Sequence, residues 1–403
     1  MRILLADKLA PEVLQKLERT GATVHSEPGA AGEALTACLA RIDPEVLVVR
    51  STPVHARDVA AAPSLALIVR GGAGVNTIDL AAASARGIFV ANCPGRNAAA
   101  VAELALGHLL NLDRRICDNV VALRQGQWNK KEFGVAEGLQ GRTLAIIGMG
   151  SIGTRLAHMA DALGMRVTAW SRHLTQPEAN ARGITRAETI EEAVRTAHAV
   201  SLHLALTAET RGCINETVFA AMMPGAYLIN TARAELVDEK ALHRALAEKR
   251  IRVGLDVYGD EPKEKTCDYP CAIAQIPGVY GTHHIGASTR QAEEAVGEEI
   301  CRIVAAFAAG EDVPNCVNLA HDTGATYNLV VRHADRVGVL ASVLDVLRQA
   351  QHNVQDMQNI IFSGGHAACA RIAVGRKPDV DTVTRIAGLE NVYSVALNPH
   401  VIS

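Results

Sequence analysis

Thr143-Leu144-Ala145-Ile146-Ile147-Gly148-Met149-Gly150-Ser151-Ile152-Gly153 is the stretch on which the fold turns. Thr143–Ile147 is apolar without alternation, the pattern of a strand buried on both faces. Gly148, Gly150 and Gly153 follow in G-x-G-x-x-G spacing, and residues 154–163 read as a helix. Between strand and helix, the first glycine permits a tight turn and the second lets backbone approach a pyrophosphate. The third lets helix pack on strand. N–H groups and dipole at the helix start complete an anion site. Gly148, Met149, Gly150, Ser151, Ile152 and Gly153 are the expected cradle of a dinucleotide. An acidic residue at the end of the next strand, Arg166–Trp170, would bind both hydroxyls of an adenosine ribose. This chain carries Ser171-Arg172 there. A hydroxyl followed by a guanidinium suits a 2′-phosphate, which tilts the expected cofactor from NAD toward NADP.

The same texture extends in both directions. Short apolar runs recur at residues 2–6, 46–50, 65–70, 88–92, 200–206, 227–231, 252–257 and 279–284, with Ala-, Leu- and Glu-rich segments between several of them. Alternating strand and helix at this spacing predicts α/β architecture with parallel sheets. The 403 residues are 49% hydrophobic and 21% charged with a formal charge of −3, which excludes a disordered chain, a collagen-like fibre or a coiled coil. That balance offers neither a nucleic-acid surface nor a polybasic membrane patch. No run approaches the roughly 18 apolar residues of a membrane helix, and the apolar start is too short for a signal sequence. Nine cysteines without a Cys-x-x-Cys pair read as reduced thiols of a cytoplasmic protein; no metal site is expected.

Residues 98–123 read as one long amphipathic helix, with Val101, Leu104, Ala105, His108, Leu112, Ile116, Val120 and Leu123 on its apolar face. It would connect two α/β units, and a subunit contact is its second use. After Gly310 the texture changes. Turn residues and a linker over 317–326, including His321-Asp322-Thr323-Gly324, precede a block over 327–403 that reads βαββαβ.

Three polar groups sit just after or within apolar runs downstream of the glycine loop: Arg233 in Asn230-Thr231-Ala232-Arg233, Glu261 in Asp256-Val257-Tyr258-Gly259-Asp260-Glu261, and His284 in Thr282-His283-His284-Ile285-Gly286. Carboxyl ends of strands in an open α/β sheet face the ligand crevice. An imidazole backed by a carboxylate can take a hydroxyl proton while a hydride leaves, and a guanidinium can fork onto a substrate carboxylate.

With these motifs in this order over residues 1–320, the chain resembles the D-isomer-specific 2-hydroxyacid dehydrogenase family. The resemblance implies two Rossmann-like doubly wound parallel-sheet domains. A flavodoxin-like substrate domain, residues 1–98 and 287–316, would enclose a nested dinucleotide-binding domain, 99–286. It also implies that Arg233 binds substrate, His284 is the acid/base and Glu261 charges it. Thr231, Ala232 and Asp256 would contact the cofactor, Asp256 at the nicotinamide carboxamide. Arg50, Ser51, Arg70, Gly72, Ala73, Gly74 and Asn97 are similar to substrate-facing positions in the branch that acts on a phosphorylated hydroxyacid; Arg114 and Lys131 would join Arg50 and Arg70 in supplying charge for the phosphate. The last block resembles an ACT domain, which implies an effector such as L-serine or another amino acid at His333, Asp335 and Asn353, and a homodimer or homotetramer. Four departures stand out: Ala234 replaces a usual Gly, His283 a usual Pro, Asp335 a common Asn, and Ser171-Arg172 the usual acidic residue. A glyoxylate or hydroxypyruvate reductase and a non-catalytic dinucleotide sensor are the alternative readings.

Overall fold

The computed structural model describes residues 1–262, 266–320 and 322–400; His321 of the expected linker and residues 401–403 of the last block lie outside the described residues. The chain forms two compact units, Met1–Asn318 and Leu319–Ser403.

The first unit contains two parallel sheets. One is built from β1 (Arg2–Leu5), β2 (Thr23–Ser26), β3 (Val46–Val49), β4 (Leu67–Arg70) and β5 (Phe89–Asn92), in the order β2-β1-β3-β4-β5. The other contains β6 (Thr143–Ile147), β7 (Arg166–Trp170), β8 (Thr185–Arg186), β9 (Ala199–Leu202), β10 (Tyr227–Asn230), β11 (Arg252–Leu255) and β12 (Val279–Gly281), in the order β12-β11-β10-β9-β6-β7-β8. The first order is flavodoxin-like. The second reverses direction between β6 and β9, and the crevice beyond the carboxyl ends of those strands is where doubly wound sheets bind dinucleotides. The expected α/β architecture with two doubly wound sheets is what the chain adopts. The central strands β3, β6, β9 and β10 are buried along their full length, which explains their unbroken apolar sequences. Two strands escaped the sequence reading, β2 and β8. Both lie at sheet edges with partly exposed, polar-containing sequences, so neither carries the apolar run that marks a buried strand.

The chain leaves the first sheet after β5 and returns to it with the helix Arg290–Ala308. Val296, Ile300, Ile303 and Val304 of that helix pack with Ile3, Leu5, Val13 and Leu17. Gly297 permits close approach: a Cβ there would lie 2.3 Å from Val13 Cγ2. At the crossing, buried Glu299 accepts from Arg96, Arg302 and Asn315 side chains, the first two as ion pairs. One carboxylate thus fastens the segment leaving the first sheet to the segment that returns.

The expected single helix over 98–123 is two. Ala98–Arg114 ends where Arg115 takes a φ of +50°, and Ile116–Arg124 follows with no buried residue. Asn111 Oδ1 accepts from the Cys117 N–H, and Arg115 pairs with Asp118, so side chains satisfy the break. Ile116, Val120 and Leu123 therefore leave the face occupied by Val101, Ala105 and Leu112, and are 48%, 39% and 57% exposed.

The second unit is an antiparallel sheet of β13 (Tyr327–Ala334), β14 (Val354–Ile361), β15 (Ala367–Val374) and β16 (Val392–Pro399), ordered β14-β15-β13-β16. Two helices, Val339–Gln349 and Val380–Ala387, complete a βαββαβ chain, with Val343, Val346, Leu347 and Ile386 buried against Leu329, Val331, Ala370 and Ile372. No helix of the described residues is long and apolar enough to cross a membrane.

Hydrogen bonding to Arg302, with Arg96 and Asn315 adding, lowers the Glu299 pKa to about 2 from an ordinary 4.5. A carboxylate depressed on folding contributes stability that is complete above its unfolded pKa and lost as pH falls toward the folded one. Melting temperature should therefore fall between about pH 4.5 and 2, and Glu299→Gln should flatten part of that dependence in thermal scans across this range.

Candidate active site

The glycine loop follows β6 directly. Gly148 has a φ of +105°, and a Cβ on it would meet the His203 carbonyl oxygen at 2.5 Å. A Cβ on Gly153 would lie 2.1 Å from the Gly148 oxygen, whereas Gly150 faces open space. The helix Ser151–Ala162 starts from Gly150 with no side-chain cap, leaving its first N–H groups for an anion. Two glycines thus permit the backbone path and one opens it to a ligand, which fits a pyrophosphate. Thr231, just beyond β10, keeps a buried Oγ1 with no partner among the described residues, and Ala232 follows it. Ser171 is half-buried at the end of β7, and Arg172 is exposed, within electrostatic reach of Glu209.

Asn230 shapes the loop that carries Arg233. Its Oδ1 accepts from the Ala232 N–H at 3.0 Å and its Nδ2 donates to the Arg233 oxygen at 2.8 Å. Ala234 opens a short 3-10 turn, Ala234–Leu236, and is not among the positive-φ residues, so no glycine is needed there. The Arg233 guanidinium reaches across to the first sheet, where a Cβ on Gly74 would lie 2.7 Å from its Nη2.

Arg70 ends β4 and folds back over Gly72, in space that any side chain at 72 would claim. Its Nε is buried without a partner among the described residues. Burial, then the charges of Arg233 and Arg50, lower the Arg70 pKa. Arg50 is held from beneath: Asp7 Oδ2 accepts the N–H groups of Arg50, Ser51 and Thr52 at 2.7, 3.1 and 3.1 Å, and Asp7 Oδ1 accepts the Ser51 hydroxyl. Burial raises the Asp7 pKa, but these bonds outweigh it and the carboxyl stays ionised. The Arg50 guanidinium pairs with Glu293 at 2.7 Å. Ala73 is exposed, and its carbonyl accepts from Asn92 Nδ2 at 2.6 Å. Asn97 caps the Ala98–Arg114 helix without a side-chain bond, close to Gly95, whose Cβ position is 3.6 Å from the Ser151 Cβ.

His284 Nδ1 donates to Glu261 Oε2 at 2.6 Å, and Glu261 Oε1 accepts the Tyr258 N–H at 2.8 Å. The Glu261 bond raises the His284 pKa against burial and the Arg233 charge. Burial pushes Glu261 up, but its bonds to His284 and Tyr258 prevail and leave it lowered. His284 has a φ of +52°, a left-handed conformation unusual for a residue with a Cβ. Asp256 holds the segment beyond it: Oδ1 accepts from the Thr282 hydroxyl at 2.6 Å and the Ile285 N–H at 2.9 Å, and Oδ2 from the Gly286 N–H at 2.8 Å. Expected at the nicotinamide, Asp256 is 1% exposed and serves this loop.

Arg50, Ser51, Arg70, Gly72, Gly74, Arg233, Glu261 and His284 therefore lie around Arg233, whose charge acts on Arg70, Glu261 and His284, while the Arg50 charge acts on Arg70. Arg114 and Lys131 lie elsewhere. The helix before Arg114 ends where Leu112 accepts from Arg252 and Asp113 meets Arg142 and Tyr227, at the strand starts opposite the crevice. Lys131, in Lys130–Phe133, is at the same end, where Phe133 lies under Arg115. Length decides this: a helix of 17 residues spans about 25 Å, so its two ends cannot share a site. Asp7, Tyr258 and Thr282 have structural roles that the sequence reading missed; an isolated Asp just past a buried strand is the one signal that Asp7 offers. Among the described residues no group of three His, Cys, Asp or Glu is placed to hold a metal.

Residues 106–286 match the family model "D-isomer specific 2-hydroxyacid dehydrogenase, NAD binding domain". The chain is 38% identical to a glyoxylate reductase of Thermococcus litoralis over 264 residues, 64% of this chain and 78% of that protein. The chain belongs to the D-isomer-specific 2-hydroxyacid dehydrogenase family. It is also 37% identical to a D-3-phosphoglycerate dehydrogenase of Methanocaldococcus jannaschii over 322 residues, 79% of this chain. It spans 60% of that relative's length. Among solved structures, the NAD+-bound 3-phosphoglycerate dehydrogenase of Entamoeba histolytica superposes with a TM-score of 0.65 at 25% identity, over 79% of this chain and 99% of that one.

Glu261 is what raises His284, so Glu261→Gln should lower the His284 titration point. Following the imidazole Cε1 proton by NMR across pH 5–9 checks this, and an unmoved midpoint contradicts the pairing.

Proposed function

We propose that the chain oxidises 3-phospho-D-glycerate to 3-phosphohydroxypyruvate, the D-3-phosphoglycerate dehydrogenase reaction that opens L-serine biosynthesis. The observation that carries this reading is the convergence of Arg50 and Arg233 on Arg70, whose buried Nε has no partner among the described residues, beside the His284–Glu261 pair. The charges of Arg233 and Arg50 act against the buried Arg70 guanidinium until an anion arrives. A substrate with a carboxylate and a phosphate supplies two anionic groups.

Arg233 would fork onto the substrate carboxylate and orient the adjacent carbon. His284 Nε2, opposite the nitrogen held by Glu261, would take the proton of the 2-hydroxyl. Glu261 stabilises the imidazolium so formed, and the proton later leaves to solvent. A bound nicotinamide would supply the hydride acceptor, and Gly148–Gly153 and Thr231 would hold the dinucleotide. For the cofactor, Ser171-Arg172 favours NADP over NAD by leaving no carboxylate on the adenosine ribose.

A second reading, glyoxylate or hydroxypyruvate reductase, draws on the Thermococcus litoralis relative, of which this chain covers more. Under either reading Ile116, Val120, Val121 and Leu123, 39–57% exposed on one short helix, are proposed to meet a second copy of the chain. In the C-terminal unit an amino-acid effector such as L-serine is proposed at Asp335 and Asn353, half-buried and exposed respectively. His333 supports that site from within: it is 2% exposed, and its ring nitrogens face the Ala334 carbonyl and Asn359. Nine free thiols accord with a reducing cytoplasm.

Rates with NAD and NADP against 3-phosphoglycerate, hydroxypyruvate and glyoxylate decide among these readings. Phosphorylated substrate should be preferred, and Arg70→Ala should abolish that preference. Arg233→Ala should lower kcat/KM about 100-fold or more while the cofactor dissociation constant stays within about twofold. Undiminished turnover in Arg233→Ala, or equal rates on phosphorylated and unphosphorylated acids, overturns the assignment.

A further inference from the structure

His108 belongs to the Ala98–Arg114 helix, yet its side chain is spent on the loop that carries His284. It is 5% exposed and lies against β11 at Gly254, where a Cβ would stand 2.9 Å from His108 Cβ, Cγ and Nδ1. The missing side chain at 254 thus admits the imidazole. His108 Nε2 lies 3.2 Å from Thr282 Oγ1, and the Thr282 hydroxyl donates to Asp256 Oδ1 at 2.6 Å. Since that hydroxyl has one proton and gives it to the carboxylate, Nε2 is the donor to Thr282. Burial lowers the His108 pKa despite the nearby Asp256 charge, so the ring is neutral, with its proton on Nε2.

The carboxylate at the end of this chain holds the backbone on the far side of His284, through Ile285 N–H and Gly286 N–H. Gly286 allows the approach, since a Cβ there would lie 3.0 Å from Asp256 Oδ2. His284 itself adopts a left-handed φ of +52°, which an L-residue keeps only where surrounding bonds hold it. Thr282 has a second acceptor available, the Leu255 carbonyl at 3.5 Å. His108 donates to that same hydroxyl, which makes its shorter bond to Asp256.

We propose that His108 is a positioning residue for the acid/base step: through Thr282 and Asp256 it fixes the backbone that aims His284. A histidine that merely fills the core would be replaced by leucine without effect on the loop. The proposal rests on the hydride-transfer reading for its kinetic consequence, though its structural consequence can be measured without turnover.

The test uses the full chain with His108→Leu, His108→Gln and Thr282→Val, each checked for an unchanged melting profile. Gln retains an N–H near the position of Nε2, and Val retains the shape of Thr without its hydroxyl. His108→Leu and Thr282→Val should lower kcat about tenfold, with KM for the hydroxyacid and cofactor affinity within about twofold; His108→Gln should restore most of kcat. In selectively ¹⁵N-histidine-labelled protein without substrate, the downfield His284 Nδ1 proton bonded to Glu261 should shift or broaden in His108→Leu and return in His108→Gln. Wild-type kcat and an unmoved proton in His108→Leu overturn the proposal, as does a His108→Gln no better than His108→Leu. A wild-type chain inert toward every hydroxyacid tested overturns the hydride-transfer reading alone, and the proton signal then decides the role of His108.

Discussion

The site depends on one buried carboxylate. Asp256 is almost completely removed from solvent, yet its two oxygens accept three hydrogen bonds, from the Thr282 hydroxyl and the Ile285 and Gly286 N–H groups. A buried carboxylate is stable only when so satisfied, which makes the loop geometry hard to relax. That loop runs from β12 at the sheet edge back toward the first sheet, and His284 lies within it. An imidazole on an unsupported loop would sample many orientations; here the backbone on one side is bonded to Asp256 and the ring is bonded to Glu261.

Charge in the crevice follows a different logic. Arg50, Arg70 and Arg233 come from two sheets, and the charges of Arg233 and Arg50 both act on Arg70. Asp7 restrains the backbone below Arg50 without touching its guanidinium, and Glu293 is the acidic partner at the rim. Much of this positive charge is therefore left unneutralised by the chain, so an anionic ligand gains both attraction and relief of repulsion. On the opposite side the carboxylate of Glu261 neutralises the form of His284 that carries a proton. An imidazole paired with a carboxylate and a set of guanidinium groups thus lie within reach of Arg233 without cancelling each other.

Much of the fold was legible because burial on both faces forces an apolar run with no alternation, and the central strands have no other means of being stable. Edge strands β2 and β8 lack that pressure, and their sequences carry no comparable mark. The helix expected through Leu123 failed for a related reason. Periodicity reports a continuous apolar face, but it does not report whether a partner is there to cover it; beyond Arg115 the apolar residues stand in solvent. Similarly, the resemblance grouped Arg114 and Lys131 with Arg50 and Arg70, although a helix length separates them from the crevice.

The sequence by itself determined the alternation of strand and helix and the glycine loop, and it singled out Arg233, Glu261 and His284 as candidates, since each depends on local pattern or on residue chemistry at a strand end. Only the tertiary structure decided which arginines meet, that Asp256 is consumed by a loop, and that Gly254 makes room for His108. These relations join residues far apart in the chain, and contact between them arises from the packing of helices on sheets, which no local spacing encodes.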